Sequence, residues 1–166
     1  KDLCKRAHDL HLEAIALTDI NNMYGAVEFS NECHKYGIKP IFGMQGNVNV
    51  EGEIYPFLLL AKDQVGYHDL MKICSDINLS DQKAIDLEKL RLYHEHLFIL
   101  SGCKEGIVER CVLKELESEA LRYMALFKEM FKDNYYICLQ DHGIQMQKHL
   151  NERLKSLAKL QGIRVC

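Results

Sequence analysis

Asp19 follows a short apolar run, Ala14 to Leu17, and leads into a polar turn and then a helix, in the stretch Leu17-Thr-Asp-Ile-Asn-Asn-Met-Tyr-Gly-Ala-Val-Glu-Phe29. An acidic side chain at the C-terminal end of a strand stands where α/β proteins place their chemistry. A carboxylate there can bind a divalent cation. The next position, where a second ligand or a base would help, is Ile20. The pair reads as metal-site architecture with one ligand missing. A second reading has Asp19 capping the turn into the helix, which aspartate does well.

Cys103 follows the apolar run Leu97 to Leu100, and Asp141-His142 follows Tyr135 to Leu139. Cys103 reads as a ligand, as a reactive thiol, or as a small buried hydrophobe. Asp141-His142 has the look of a base with its orienter, but adjacent residues do not usually hydrogen-bond in that way. His94-Glu95-His96 would place both rings on one face of an extended segment. It precedes the strand at Leu97, at the end of a barrel that serves stability and not chemistry. His8 and His11 have a helical i, i+3 spacing on a polar face, which favours solvated surface.

These residues need elements to hold them. Asp2 to Leu12 reads as a helix with Leu3, Ala7 and Leu10 on one face, and Lys1 as part of the same helix. Strands are expected at Ala14–Leu17, Pro40–Val50, Ile54–Ala61, Leu97–Leu100, Tyr135–Leu139 and from Ile163. Helices are expected at Tyr24–Tyr36, closed by Gly37, and from a cap at Asp63 to Ile77. Others are expected over Asp86–Leu92, Glu105–Leu113, Ser118–Phe131 and Ile144–Leu160. Alternating strands and helices imply a parallel sheet or a barrel.

The 166 residues fit one domain with a real core, and 48% hydrophobic with 27% charged residues is an ordinary globular mix. A net charge of −3 argues against a nucleic-acid clamp, which usually carries a basic surplus. The lysines, Lys35, Lys128 and Lys155 among them, are interleaved with acids and read as solvated helix faces. No apolar run approaches a membrane span and no signal peptide is visible. The seven cysteines, without a CxxC, read as reduced, buried or incidental thiols of a cytoplasmic protein.

Together these residues resemble a known family. Leu17-Thr-Asp with Asn22 to Phe29, Gly37-Ile-Lys-Pro-Ile-Phe-Gly43, Leu58-Leu-Leu-Ala-Lys62, Leu100-Ser-Gly-Cys103 and Leu139-Gln-Asp-His-Gly143 occur in its order and at about its spacing. The chain is similar throughout to the amino-terminal PHP (polymerase and histidinol phosphatase) domain of bacterial replicative DNA polymerase III alpha subunits. The resemblance implies a single PHP domain fragment over residues 1–166 and an α/β fold, a distorted (β/α)7 PHP barrel. The barrel is expected to be incomplete, with the first and last strand motifs outside the chain. The Ala14 strand would then have an unpaired edge, and the fragment would be marginally stable alone or associate through that edge.

In such a barrel Asp19, Gln45, Cys103 and His142 should stand around one rim in a shared cavity. Active members hold up to three divalent metals there. By resemblance Asp19, Cys103 and His142 keep metal positions, as vestiges, while Ile20, Gln45 and Pro56 replace a His, a Glu and a His. Clusters that hydrolyse phosphoesters need several charged or imidazole ligands. The expectation is therefore no metal cluster and no catalytic residue in the chain.

The resemblance further implies that the parent is a DNA-directed DNA polymerase using Mg2+ and deoxynucleoside triphosphates. Zn2+ or Mn2+ would be needed only if the PHP site were active. The expected partners are the remaining domains of the alpha subunit and a proofreading exonuclease subunit, with DNA met only through the parent and no membrane. The alternative is a metal-dependent phosphoesterase or 3′–5′ exonuclease of the same superfamily. A stand-alone histidinol-phosphatase type is disfavoured by the polymerase-like runs Asn22–Phe29 and Gly37–Gly43.

Overall fold

The computed structural model describes residues 2–166, so the helical reading of Lys1 lies outside the described residues. The chain runs α1 (Asp2–Asp9), β1 (Ala14–Ile20), α2 (Ala26–Lys35), β2 (Lys39–Val50), β3 (Glu53–Ala61), α3 (Gln64–Leu79), β4 (Ile85–Asp86) and α4 (Leu87–Leu90). It continues with β5 (Leu97–Ser101), α5 (Ile107–Leu113), α6 (Glu117–Phe131), β6 (Tyr135–Ile137), α7 (Gln145–Gln161) and β7 (Arg164–Val165).

One open sheet takes the order β1-β2-β3-β5-β6-β7, with β4 pairing β2 beyond the end of β1. An incomplete barrel of the expected kind fits this sheet. The sheet is mixed, however, and not wholly parallel. β3 is antiparallel to both β2 and β5, and the remaining pairs are parallel. The cause is the tight turn between Val50 and Glu53, where Glu51 and Gly52 both take positive φ (55° and 88°). Two such residues suit a two-residue hairpin, which returns the chain beside itself without a crossover helix.

Burial alternates along the central strands, as a two-residue period requires. Met44, Val48, Phe57, Leu59, Leu97, Ile99 and Ile137 are buried. They form one core with Leu70, Ile73 and Ile77 of α3, Met124 and Phe127 of α6, and Leu154 and Leu157 of α7. The alternate residues Leu58, Leu60, Phe98, Leu100 and Tyr136 are half-buried. A smaller core joins α1, α2 and β1 through Cys4, Ala7, Phe29, Cys33 and Ile38.

The ends of several elements differ from the sequence reading. α1 stops at Asp9, and His11 turns left-handed (φ 55°), so His8 and His11 do not share a helix face. Cys4 and Ala7 are buried there, while Leu3 and Leu10 are exposed. The heptad-like spacing of 3, 7 and 10 competes with that of 4 and 7, and the small thiol fits against Cys33. α2 begins at Ala26, not Tyr24. The cap expected at Asp63 forms: its carboxylate accepts the Gly66 N–H at 2.9 Å.

Glu51 ties the hairpin tip to α6. Its carboxylate accepts two bonds from Arg122, at 2.8 and 3.1 Å, and one from the Tyr123 hydroxyl at 2.9 Å. Arg122, then Tyr123, hold the carboxyl down from 4.5 to about 2. A depressed carboxyl stabilises above its unfolded value and loses that contribution as pH falls through the folded one. Glu51→Gln should therefore lower the urea midpoint at pH 6, and the gap to wild type should close between pH 4.5 and about 2. A gap independent of pH would contradict the clamp.

Candidate functional site

The parallel strands β1, β2, β5 and β6 share a direction, so Asp19, Gln45, Cys103 and His142 all lie towards one end of the sheet. The rim expectation holds in that respect. Along the sheet, strands β1 and β5 are separated by β2 and β3. Among the described residues, no three His, Cys, Asp or Glu side chains group as they would around a metal ion.

Each candidate has its own surroundings. Asp19 pairs in register with Met44, whose side chain is in the core beneath the helices. Its carboxylate lies against Gly25 and makes no hydrogen bond or ion pair among the described residues. The capping reading of Asp19 is corrected: Asn22 shapes the turn, donating to the Ile20 carbonyl at 3.0 Å and accepting the Tyr24 N–H at 3.2 Å. Ile20 and Gln45 form the next registered pair, both exposed. Pro56 lies in β3, and its carbonyl packs against Gly102. It reaches this end of the sheet because β3 runs in reverse.

His142 is exposed in the loop after β6, and its backbone N–H donates to the Gln147 side chain at 3.0 Å. Asp141 accepts from Gly143 N–H at 2.8 Å, an Asx turn, and does not orient His142. His94 Nδ1 lies 2.8 Å from the Arg91 carbonyl, and His96 Nδ1 lies 2.7 Å from Asp63 Oδ2. Both lie at the opposite end of the sheet, where His96 braces the start of α3 and His94 closes its own short turn. The Gly66 N–H, then His96, hold the Asp63 carboxyl below its ordinary value.

The cluster that does form was not visible in the sequence. Cys103, Cys138 and Cys166 gather at the ends of β5, β6 and β7. The Cys103 thiol donates to Cys138 Sγ at 3.7 Å. Cys166 is bracketed by backbone bonds to Ile137 and Leu139, which sets it in register beside Cys138. Hydrogen bonds from Cys103 and Cys166 hold the Cys138 thiol down, and bonding to Cys138 together with burial pushes its two neighbours up.

Below the thiols, Glu109 of α5 is 1% exposed. Ser101 Oγ donates to its Oε1 and accepts the Cys138 N–H at 3.0 Å, while its Oε2 has no partner. Burial, opposed by the Ser101 hydrogen bond, raises the Glu109 carboxyl from 4.5 to about 7. One acid on a short helix gives no warning of this in the sequence.

Among the described residues Asp19 makes no ion pair, Ile20 and Gln45 carry no charge, and the Cys103 thiol is turned towards another thiol. What this end of the sheet offers chemically is thiol and buried-carboxyl chemistry around Cys138 and Glu109.

The comparisons with known proteins agree with the geometry of the sheet. The family model described as the PHP domain matches residues 1–142. The DNA polymerase III subunit alpha of Borreliella burgdorferi is 32% identical over 98% of this chain. Those of Deinococcus radiodurans and Treponema pallidum are 33% and 35% identical over 98% and 97% of it. The chain spans about 15% of the length of these relatives. With an open αβ sheet of this order and a family match over most of its length, the chain belongs to the PHP domain family.

Proposed function

We propose that the chain serves as the PHP domain of a bacterial replicative DNA polymerase alpha subunit, and that its work there is structural and partner-docking, with a degenerate metal site. The observation that carries this reading is the registered pair Ile20–Gln45. Both face one side of the rim, where active members of the family set an imidazole and a carboxylate. An aliphatic side chain and a neutral amide cannot neutralise two divalent ions.

The docking part rests on exposed apolar surface beside that rim: Ile20 is 68%, Tyr24 95% and Val27 70% exposed. Large apolar side chains left this exposed near one another in sequence are what a protein contact would cover. The remaining domains of the alpha subunit and a proofreading exonuclease subunit are the partners the reading implies. Magnesium ions and deoxynucleotides then belong to the polymerase chemistry of other domains, in the cytoplasm. Zinc or manganese would enter only with an active PHP centre. No described helix is long and apolar enough to cross a membrane.

The test is primer extension by the full-length protein. Asp19→Ala should leave the rate within about twofold, since the half-buried Asp19 carboxylate makes no hydrogen bond or ion pair among the described residues whose loss would be felt. Ile20→Asp with Tyr24→Asp should weaken association with the partner while leaving the fold intact. A folded Asp19→Ala variant that loses extension a hundredfold would favour a working metal site.

A further inference from the structure

We infer that Cys103 and Cys138 form an oxidative modification site, in which a hydroperoxide converts the two thiols reversibly into a disulfide. The two sulfurs lie 3.7 Å apart, already in contact. Bond formation needs them at about 2.05 Å, a closure that side-chain rotation can supply at an element end. Both residues stand at such ends. Cys138 is the first residue past β6, and Cys103 opens a single 3-10 turn after β5. Both are partly exposed, so a small oxidant reaches them.

The backbone fixes where the Cys103 thiol sits. Cys103 takes a positive φ of 54°, as six other non-glycine residues among those described do. Gly102 beside it is pressed onto the Pro56 carbonyl, which fixes the turn and holds the thiol where it meets Cys138.

The chemistry balances. One thiol sulfur attacks the peroxide, the O–O bond breaks, an S–O bond forms, and water (from an organic hydroperoxide, the alcohol) leaves, giving a sulfenic acid. The second thiol then attacks that sulfur. The S–S bond forms, the S–O bond breaks, and a second water carries away the remaining proton. The two cysteines together lose two electrons, and the hydroperoxide gains them. A cellular dithiol or glutathione restores the pair by exchange.

The molecule contains its own comparison. Cys4 and Cys33 also have sulfurs 3.7 Å apart, but they are 2% and 0% exposed. Contact distance is equal and access is not. Cys166 is the other neighbour of Cys138, but its thiol is shared between Cys138 and the Ile137 carbonyl, whereas the Cys103 thiol is directed at Cys138. The inferred pairing is therefore Cys103 with Cys138.

The experiment treats the native full-length protein with hydrogen peroxide, alkylates the remaining thiols, and maps tryptic peptides by mass spectrometry. Cleavage after lysine and arginine places Cys103 in residues 92–104, Cys138 in 133–148, and Cys33 in 7–35. The expected product joins 92–104 to 133–148, forms at least about tenfold faster than any Cys4–Cys33 link, because reactivity follows access, and disappears with dithiothreitol. Cys103→Ser should abolish it, and unchanged peroxide resistance of Cys4 and Cys33 in that variant shows that the fold survives. A dominant Cys138–Cys166 link, oxidation of Cys138 straight to sulfonic acid, or no link at all would overturn the inference.

Discussion

Glu109→Gln will stabilise the protein at pH 8 by about 3 kcal/mol and leave it unchanged at pH 4.5. The sign follows from linkage. The carboxyl titrates at about 7 in the folded chain against 4.5 as a free side chain. Between those values the folded state binds a proton that the unfolded state has released. Stability therefore falls as pH rises from 4.5 and levels off above about 7, and at about 1.4 kcal/mol per pH unit the loss approaches 3 kcal/mol. Glutamine has the shape of the protonated acid and keeps the Oε1 that accepts from Ser101. It also puts a donor where the protonated acid would have one, at the unpartnered Oε2. Subtracting the two stability profiles cancels every other titrating group. A variant whose profile runs parallel to wild type would contradict the buried, uncompensated carboxylate.

Gly102→Ala will cost about 3 kcal/mol, the upper end of what overpacking costs. A Cβ at Gly102 would overlap the Pro56 carbonyl, and that oxygen belongs to the backbone of the neighbouring strand, so it cannot swing away. β3 and β5 would have to separate one rung beyond the pair Phe57–Ser101. That movement reaches Ser101, and through it Glu109 and the Cys138 amide. The comparison is Gly37→Ala. Nothing lies near its added Cβ, so the penalty is that of a positive φ alone, about 1–2 kcal/mol. Denaturant midpoints of the two variants separate the effects. Equal losses would mean that β3 and β5 are not locked together at Gly102.

Much of this was legible in the chain. Asp63 before an apolar helix, and Gly37 and Gly162 after α2 and α7, follow from local chemistry and stand where that chemistry places them. The strands Leu97–Ser101 and Lys39–Val50 carry enough β-branched and apolar residues to be read alone. The β2–β3 hairpin was missed because Glu-Gly is a weaker turn signal than Asn-Gly or Asp-Gly. The two-residue strand β4 exists because β2 outruns β1, a tertiary fact with no local trace.

The candidate site was legible in its losses more than in its contents. Ile20 can be read as a missing ligand from its place after Asp19, while Gln45 and Pro56 read so only through the family resemblance. That Asp19 shares a register with core-facing Met44, while Ile20 and Gln45 share the next, depends on strand pairing. The thiol cluster needs three strand ends, at residues 103, 138 and 166, to meet. Cysteines spaced 35 and 28 residues apart give no periodic signal. Glu109 was hidden for a different reason: an acid on an amphipathic helix is ordinarily solvated, and only its packing beneath Ser101 reverses that.

The central proposal is that the PHP centre of this chain does not work as a metal enzyme. The most direct measurement is elemental analysis of full-length protein purified without chelator, paired with cleavage of an end-labelled DNA single strand in manganese or zinc. The proposal rests on Ile20 and Gln45 supplying no charge beside Asp19, since bringing two divalent ions close together needs several anionic or imidazole ligands. The account predicts less than one tightly bound transition metal per chain at this domain and no strand cleavage that depends on Asp19. Two or more tightly bound ions per chain that are lost with Asp19→Ala, or nuclease activity abolished by that substitution, would contradict it.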